Sequence, residues 1–235
     1  MTLPERLFSL LNMRSRSPSP EDLSTKARIR DAAVRRFAAD GLGAPLRAIA
    51  TDAGVSPGLI MHHFGSRAGL RVACDEYVLA ETRSSKAEVL APAGAPAALL
   101  SQLAQVDGYA PLIGYVLRCL QAGDDLTRRL IDGMVADAVT YFETGVKAGT
   151  ITPSRDEPAR ARLLTEFALG SLLMNLPAGG ERLDLEALPA WLDAYAARII
   201  LPTLEILTEP LLADSSLLDA YLASTDGTAP GHPED

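Results

Sequence analysis

"LRAIATDAGVSPGLIMHHFGSRAGL", residues 46–70, contains two short apolar runs, one ending at Gly54 and the other at Gly65. The first reads as a helix starting near Pro45, an acceptable first helical residue, and burying Leu46, Ile49, Ala50 and Ala53. The second has Ser56 as N-cap and Pro57 at its first position, and Gly65 stops it after about two turns. Ala50, Gly54 four residues on and Ile60 six after that form a helix-turn-helix pattern. It needs a small residue where two helices cross, a residue free to take the turn, and a core anchor. At about 100° per residue, Ile60 and Phe64 face the core and Gly58 and His62 point away from it. Leu59 and Met61 flank the outer pair, and His63 lies on the shoulder nearer the core. The two histidines therefore diverge and do not share a metal ion.

Working outward, "TKARIRDAAVRRFAAD" (25–40) places Ile29, Ala33 and Phe37 four apart on one helical face, with Ser24 as its expected N-cap and Gly41 as its C-terminal cap. Ser66 caps a longer helix from 67 to about 90. Charge separates this part of the chain from the rest. The net charge is -8, yet residues 1–85 carry 12 Lys and Arg against 9 Asp and Glu, a balance of +3. Residues 86–235 carry 10 against 21, a balance of -11. Between Ser24 and Arg47 stand six basic residues (Lys26, Arg28, Arg30, Arg35, Arg36, Arg47) and two acidic ones (Asp31, Asp40). Phosphate binding is largely electrostatic, so the N-terminal part suits a polyanion despite the acidic whole.

Over residues 25–77, "TKARIRDAAVRRFAADGL" followed by "LRAIATDAGVSPGLIMHHFGSRAGL", the chain resembles the TetR-type transcriptional regulators. The resemblance implies an all-α protein with an N-terminal three-helix helix-turn-helix domain and a helical dimerisation and ligand-binding domain. It implies that the helix from Pro57 to His63 enters the major groove, with Pro57, Gly58, Leu59, Met61, His62 and His63 at or near double-stranded DNA. Arg67 is expected to meet a phosphate, as are the residues near Thr25 and Arg47, and among the arginines of the first helix Arg28 is the one expected near DNA. Two departures stand out. The position of Met61 is commonly a tyrosine in the family, and methionine donates no hydrogen bond. The loop "GLGAPLR" is one residue shorter than usual and lacks a Ser/Thr cap. With Pro57, Gly58 and Leu59 offering little to base edges, readout is expected to rest on His62, apolar contacts and DNA shape.

The remaining chain shows helical spacing and almost no strand alternation. Residues 1–22 read as a flexible extension, 23–85 as the DNA-binding domain, 86–223 as the C-terminal domain after the connector "LAPAGAPAA" (90–98), and 224–235 as a tail. Expected C-terminal helices cover 96–107, 110–122, 125–148, 157–176, 188–208 and 212–223. The fourth of these is apolar almost all round, which calls for burial on more than one side. A homodimer seam through Phe167, Gly170, Ser171 and Met174 with Trp191, Tyr195 and Ile199 meets that need, and two-fold DNA reading requires a dimer. Tyr109, Tyr115, Arg118, Met134, Tyr141 and Phe142 are candidates for lining a pocket for a small hydrophobic effector.

Other function classes find little support. "GLGAPL" lacks the third glycine of a dinucleotide fingerprint, no catalytic motif is present, and no cofactor or metal is expected, so the chain does not read as an enzyme. Cys74 and Cys119 fit no disulfide or metal spacing and read as core residues. No stretch is long enough to span a bilayer, and a cytoplasmic setting is expected. The resemblance implies a repressor, the family's usual mode; the alternative is a helical protein-interaction module that has lost sequence-specific DNA binding.

Overall fold

The computed structural model describes residues 20–90, 106–176, 182–209 and 211–226, and every regular element among them is an α-helix. These are α1 (Pro20–Asp40), α2 (Leu46–Ala53), α3 (Pro57–Phe64), α4 (Arg67–Leu90), α5 (Val106–Ala122), α6 (Asp125–Ala148), α7 (Glu157–Met174), α8 (Leu188–Thr208) and α9 (Ser216–Asp226). Most of the expected extension, the connector, the helix at 96–107 and most of the tail lie outside the described residues. No described helix is long and apolar enough to cross a membrane.

The boundaries follow local chemistry closely. Gly54 takes a left-handed conformation (φ 64°) and caps α2, and Ser56 Oγ accepts the Leu59 amide at 3.2 Å with Pro57 at the start of α3. Gly41 turns with φ 84° after α1. Two starts differ from expectation. α1 begins at Pro20, so Ser24 is an interior helical residue and not a cap. Pro45 is the extended N-cap of α2 (ψ 139°) and not its first helical residue.

Residues 1–192 form one compact unit and 193–235 a second. In the first, a continuous core runs from Ile29 and Phe37 of α1 through Ile49, Ile60, Leu70, Cys74 and Val78 to Tyr115, Cys119 and Leu130. The expected division at 85/86 therefore does not coincide with a gap in the core. The reason is α1, which buries residues toward both α2 and α5: Gly114 lets α5 approach so closely that a Cβ there would lie 3.1 Å from Ala38 Cβ.

A buried polar network ties α4 to α5 and α6. The buried Arg71 guanidinium donates to both carboxylate oxygens of Asp124 and, at 3.0 Å, to Thr127 Oγ1. Asp124 is the N-cap of α6, accepting the Thr127 amide at 2.9 Å, and Arg71 beside it holds its carboxyl well below the usual range. One turn along α4, Tyr115 donates its hydroxyl to the buried Asp75 carboxylate at 2.6 Å. A buried charge is tolerated when its hydrogen-bonding groups find partners; both terminal nitrogens of Arg71 find them here, while its buried Nε makes no hydrogen bond.

In the second unit, α9 has a built N-terminus, the Ser216 amide donating to Asp214 Oδ1 at 2.9 Å and the Asp219 amide to Ser215 O at 2.9 Å. The later part of α8 leaves Leu201, Leu204, Ile206 and Leu207 exposed.

Candidate nucleic-acid interface

α3 is held from behind. Ile60 is fully buried with Ile49 and Ala50, and Val55 N donates to Ala50 O at 2.9 Å, so the turn fixes the angle at which α3 leaves α2. At its far end Gly65 N donates to Met61 O at 2.8 Å, and Ser66 Oγ accepts the Gly69 amide at 2.9 Å as the cap of α4. The outer face carries Pro57, Gly58, Met61 and His62, all exposed, with Leu59 and His63 half-buried at its edges. The His62 and His63 rings diverge at 67° with centroids 5.5 Å apart. Among the described residues no cluster of three or more metal-ligating side chains exists.

The basic residues divide into two groups. Arg36 links α1 to α2, donating to both Asp52 oxygens at 2.7 Å and to Asp40 at 2.9 Å, and Arg30 stacks on the Tyr77 ring of α4 at 3.7 Å while pairing with Asp31. These two hold helices together. Arg28 and Arg47 stand exposed on α1 and α2, Thr25 is half-buried, and the exposed Lys26 lies 5.6 Å from the Phe64 ring centroid at the end of α3. Lys26 sits beside the reading helix although only its charge, not its place, was readable from the sequence.

Arg67, expected to meet a phosphate, makes two contacts within the chain. Its guanidinium donates to Leu42 O at 2.9 Å and Ala44 O at 2.6 Å, pinning the loop between α1 and α2 to the start of α4. That loop, short and without a Ser/Thr cap, gains its rigidity from this side chain. Gly69 is a second positioning residue that spacing did not reveal. A Cβ there would come within 3.0 Å of the Phe64 carbonyl oxygen, so only glycine lets α4 start against the end of α3.

Among the described residues, the candidates for lining an effector pocket have several different surroundings. Tyr115 is fully buried and bonded to Asp75, and Arg118 caps the C-terminus of α1, donating to Ala38 O and Ala39 O at 3.1 Å each. Both are structural, because the core and the orphan carbonyls of α1 take them. Met134 packs against the core, Phe142 lies under the Arg160 guanidinium at 5.3 Å, and Tyr109 and Tyr141 are half-buried on α5 and α6. An open groove of about 310 Å³ lies between α6 and α7, walled by Leu120, Ile131, Leu169, Gly170 and Leu173 and edged by Arg128, Asp132, Arg162 and Glu166.

On α7, Phe167 is 64% exposed and Met174 87%, and with Leu163 and Gly170 they form one stripe. A Cβ on Gly170 would meet nothing within 4 Å. Ser171 is half-buried on the same helix; Trp191 packs half-buried against Leu188 and Ala110. Tyr195 and Ile199, in the second unit, are half-buried, with the Arg198 guanidinium 5.9 Å from the Tyr195 ring. Burial pushes both thiols up, Cys119 to about 11, which leaves them as unreactive core groups.

Residues 29–74 match the model of the bacterial regulatory proteins of the tetR family, and residues 107–213 match a tetracyclin repressor-like C-terminal domain. The chain is 46% identical over 202 residues to the HTH-type transcriptional regulatory protein RaaS of Mycobacterium tuberculosis, spanning 86% of this chain and 93% of the relative. Two solved structures share the fold. Salmonella enterica GusR is 20% identical with a TM-score of 0.53, covering 81% of this chain and 99% of its own. FadR from Bacillus subtilis, solved with stearoyl-CoA, is 19% identical with a TM-score of 0.52, covering 79% and 99%. A helix-turn-helix with its reading face outward, a helical C-terminal part and a relative this similar over nearly its whole length place the chain in the TetR family of transcriptional regulators.

Proposed function

We propose that this regulator is a repressor that binds a palindromic operator as a homodimer and is released or recruited by a small hydrophobic effector. The observation that carries the reading is the outer face of α3, where Pro57, Gly58, Met61 and His62 stand exposed on a helix anchored by the buried Ile60. Arg28, Arg47, Thr25 and Lys26 flank it as phosphate contacts. Phosphate contacts position a protein on the duplex, and base contacts specify the sequence. Here His62 is the side chain with hydrogen-bonding capacity on the outer face, while Leu59 and Met61 offer apolar contact to thymine methyls. His63, at the edge, meets the His62 and Phe64 rings edge-on and steadies that face.

The exposed α7 stripe of Leu163, Phe167, Gly170 and Met174 supports a two-fold seam. A contiguous apolar stripe of this kind is costly in water, and a second copy covers it symmetrically. Two reading helices about one duplex turn apart then address two half-sites. The groove between α6 and α7 is the effector site this reading favours, since Tyr115 and Arg118 are committed elsewhere.

Selection of bound duplexes from a random pool tests the proposal, with Arg47→Ala/His62→Ala as control. A two-fold symmetric site recovered by the native chain and not by the control is the expected result. Recovery of no site, or of an asymmetric one, overturns it, and the first outcome would favour a protein-interaction role.

A further inference from the structure

We propose that the segment leading into α8, residues 182–187, positions the DNA-reading unit: through the Arg182 side chain and the Leu183 amide it holds the C-terminal end of α1, and through Arg36 the helix α2, to the C-terminal part of the chain. The inference rests on the operator-binding reading above and deepens it, naming residues that aim the reading helix by a route separate from α4.

The last carbonyls of a helix have no partner inside it and are commonly met by the residues that follow. In α1 the Phe37 carbonyl is met in that way, by the Gly41 amide at 2.9 Å. The next two are met from far along the chain. Arg118 of α5 donates to Ala38 O and Ala39 O at 3.1 Å each, and Ala39 O also accepts the Leu183 amide at 2.9 Å. Beside them Arg182 Nε stands 2.7 Å from Asp40 Oδ1, an oxygen buried from water. The other Asp40 oxygen accepts from Arg36 at 2.9 Å, and the same guanidinium donates to both oxygens of Asp52 in α2 at 2.7 Å. Arg36, with Arg182 beside it, holds the Asp40 carboxyl below its usual range, so the shared charge persists at neutral pH. A run of contacts therefore joins residue 182 to α2.

The segment is itself fixed, which is what lets it hold something else. Asp184 Oδ1 accepts the Glu186 and Ala187 amides at 2.9 and 3.2 Å, and its carbonyl accepts the Leu188 amide at 3.0 Å, so Arg182 and Leu183 sit on a built start of α8. Leu183 and Leu185 pack against Ala110, Leu188 and Leu192. Both also approach Gly114 of α5, where a Cβ would lie 3.2 and 3.3 Å from their Cδ2 atoms and 3.1 Å from Ala38 Cβ. At Gly114, α1, α5 and the segment meet without room for a side chain. Attachment through α4 alone would leave the reading unit free to tilt about that helix, and a further attachment at the end of α1 opposes the tilt. Because the segment runs straight into α8, a shift of that helix reaches α1 without passing through α4. A reading unit held in its bound orientation loses less freedom when it meets DNA, which is how a contact remote from the duplex strengthens specific binding.

The test compares the native full chain with Arg182→Glu, Arg182→Glu/Leu183→Ala and the conservative Arg182→Lys, with urea midpoints as the check on folding. Spin labels on Thr51→Cys in α2 and Glu186→Cys before α8, both exposed positions, read the intra-chain distance in an excess of unlabelled chain, while the buried Cys74 and Cys119 stay unlabelled. Expected are a narrow distance distribution in the native chain and in Arg182→Lys, and a broader one in both charge-reversed chains. The doubly changed chain should lose about tenfold in affinity for the selected operator, the combined size of an exposed ion pair and a shortened apolar side chain. Affinity for random duplex and the salt slope should stay native, since no phosphate contact is removed. A native distance width in the doubly changed chain overturns the proposal. So does an equal loss on operator and random duplex with a smaller salt slope, which would make Arg182 a phosphate contact. A lowered urea midpoint with native width and native operator affinity overturns it as well, leaving the segment as packing alone. If selection recovers no operator, the regulator reading fails by itself, and the distance width still decides the positioning role.

Discussion

Replacing Gly69 by alanine pits helix propensity against packing, and the two effects have opposite signs. In an open helical position the change stabilises by about 0.5–1 kcal/mol, because alanine restricts the unfolded chain. At Gly69 the added Cβ falls inside 3.0 Å of the Phe64 carbonyl oxygen and 3.2 Å from its carbon. Neither atom belongs to a flexible side chain, and the same carbonyl accepts the Ser66 amide at 2.8 Å. Relief requires the end of α3 and the start of α4 to separate by about 1 Å, to restore ordinary van der Waals distance. Overpacking of this kind costs about 1–3 kcal/mol, so the net effect is a loss. The separation also tilts α3, and the two copies tilt together, so operator affinity should fall by at least tenfold. Gly58→Ala is the matched control: its Cβ would have Ser56 Oγ as nearest neighbour, at 3.8 Å. Urea titrations of the three chains, with operator binding by fluorescence anisotropy, read both quantities. The expected order of stability is Gly58→Ala at or above native and Gly69→Ala below it. A Gly69→Ala chain with native midpoint and native affinity would refute the close approach of α3 and α4.

Asp124→Ala leaves the buried Arg71 guanidinium without its carboxylate and removes the N-cap of α6, so it should cost about 3–5 kcal/mol, more than Arg71→Met, in which no buried cation remains. Burial raises the Asp75 carboxyl above its ordinary value, against the pull of the Tyr115 hydroxyl. The folded state therefore holds that proton more tightly than the unfolded chain. The native protein should lose stability relative to Asp75→Asn as pH rises from about 4 through the raised value; parallel pH–stability curves would contradict this. Arg47→Ala should weaken operator binding evenly across sequences and reduce the slope of log K against log salt by about 1. Arg67→Lys, which keeps the charge but not the two-carbonyl fork, should weaken binding with the slope unchanged; a reduced slope would restore a phosphate role to Arg67.

The reading unit was legible because its determinants are local. Ala50, Gly54, Ser56, Pro57, Ile60 and Gly65 each act within one or two turns, through a cap, a left-handed turn or a helical face, and α3 runs over the expected residues. The apolar character of α7 was legible for the same reason, but which of its sides stays exposed, the one with Leu163, Phe167, Gly170 and Met174, was not. The roles of Arg67, Arg118 and Tyr115 were not, since each depends on a partner far along the chain. Arg67 meets a loop 23–25 residues away, Tyr115 an aspartate 40 away and Arg118 a helix end about 80 away. An arginine on a helix looks the same in sequence whether it faces phosphate or caps a distant carbonyl. Gly69 likewise reads as an ordinary weak point in a helix until α3 is brought against it. What the amino-acid order determined by itself was which segments are helices and which sides of them are apolar. Which polar groups remain outward for DNA, and which close the structure, was decided only when folding brought distant backbone carbonyls and carboxylates within reach and their desolvation had to be met by a donor.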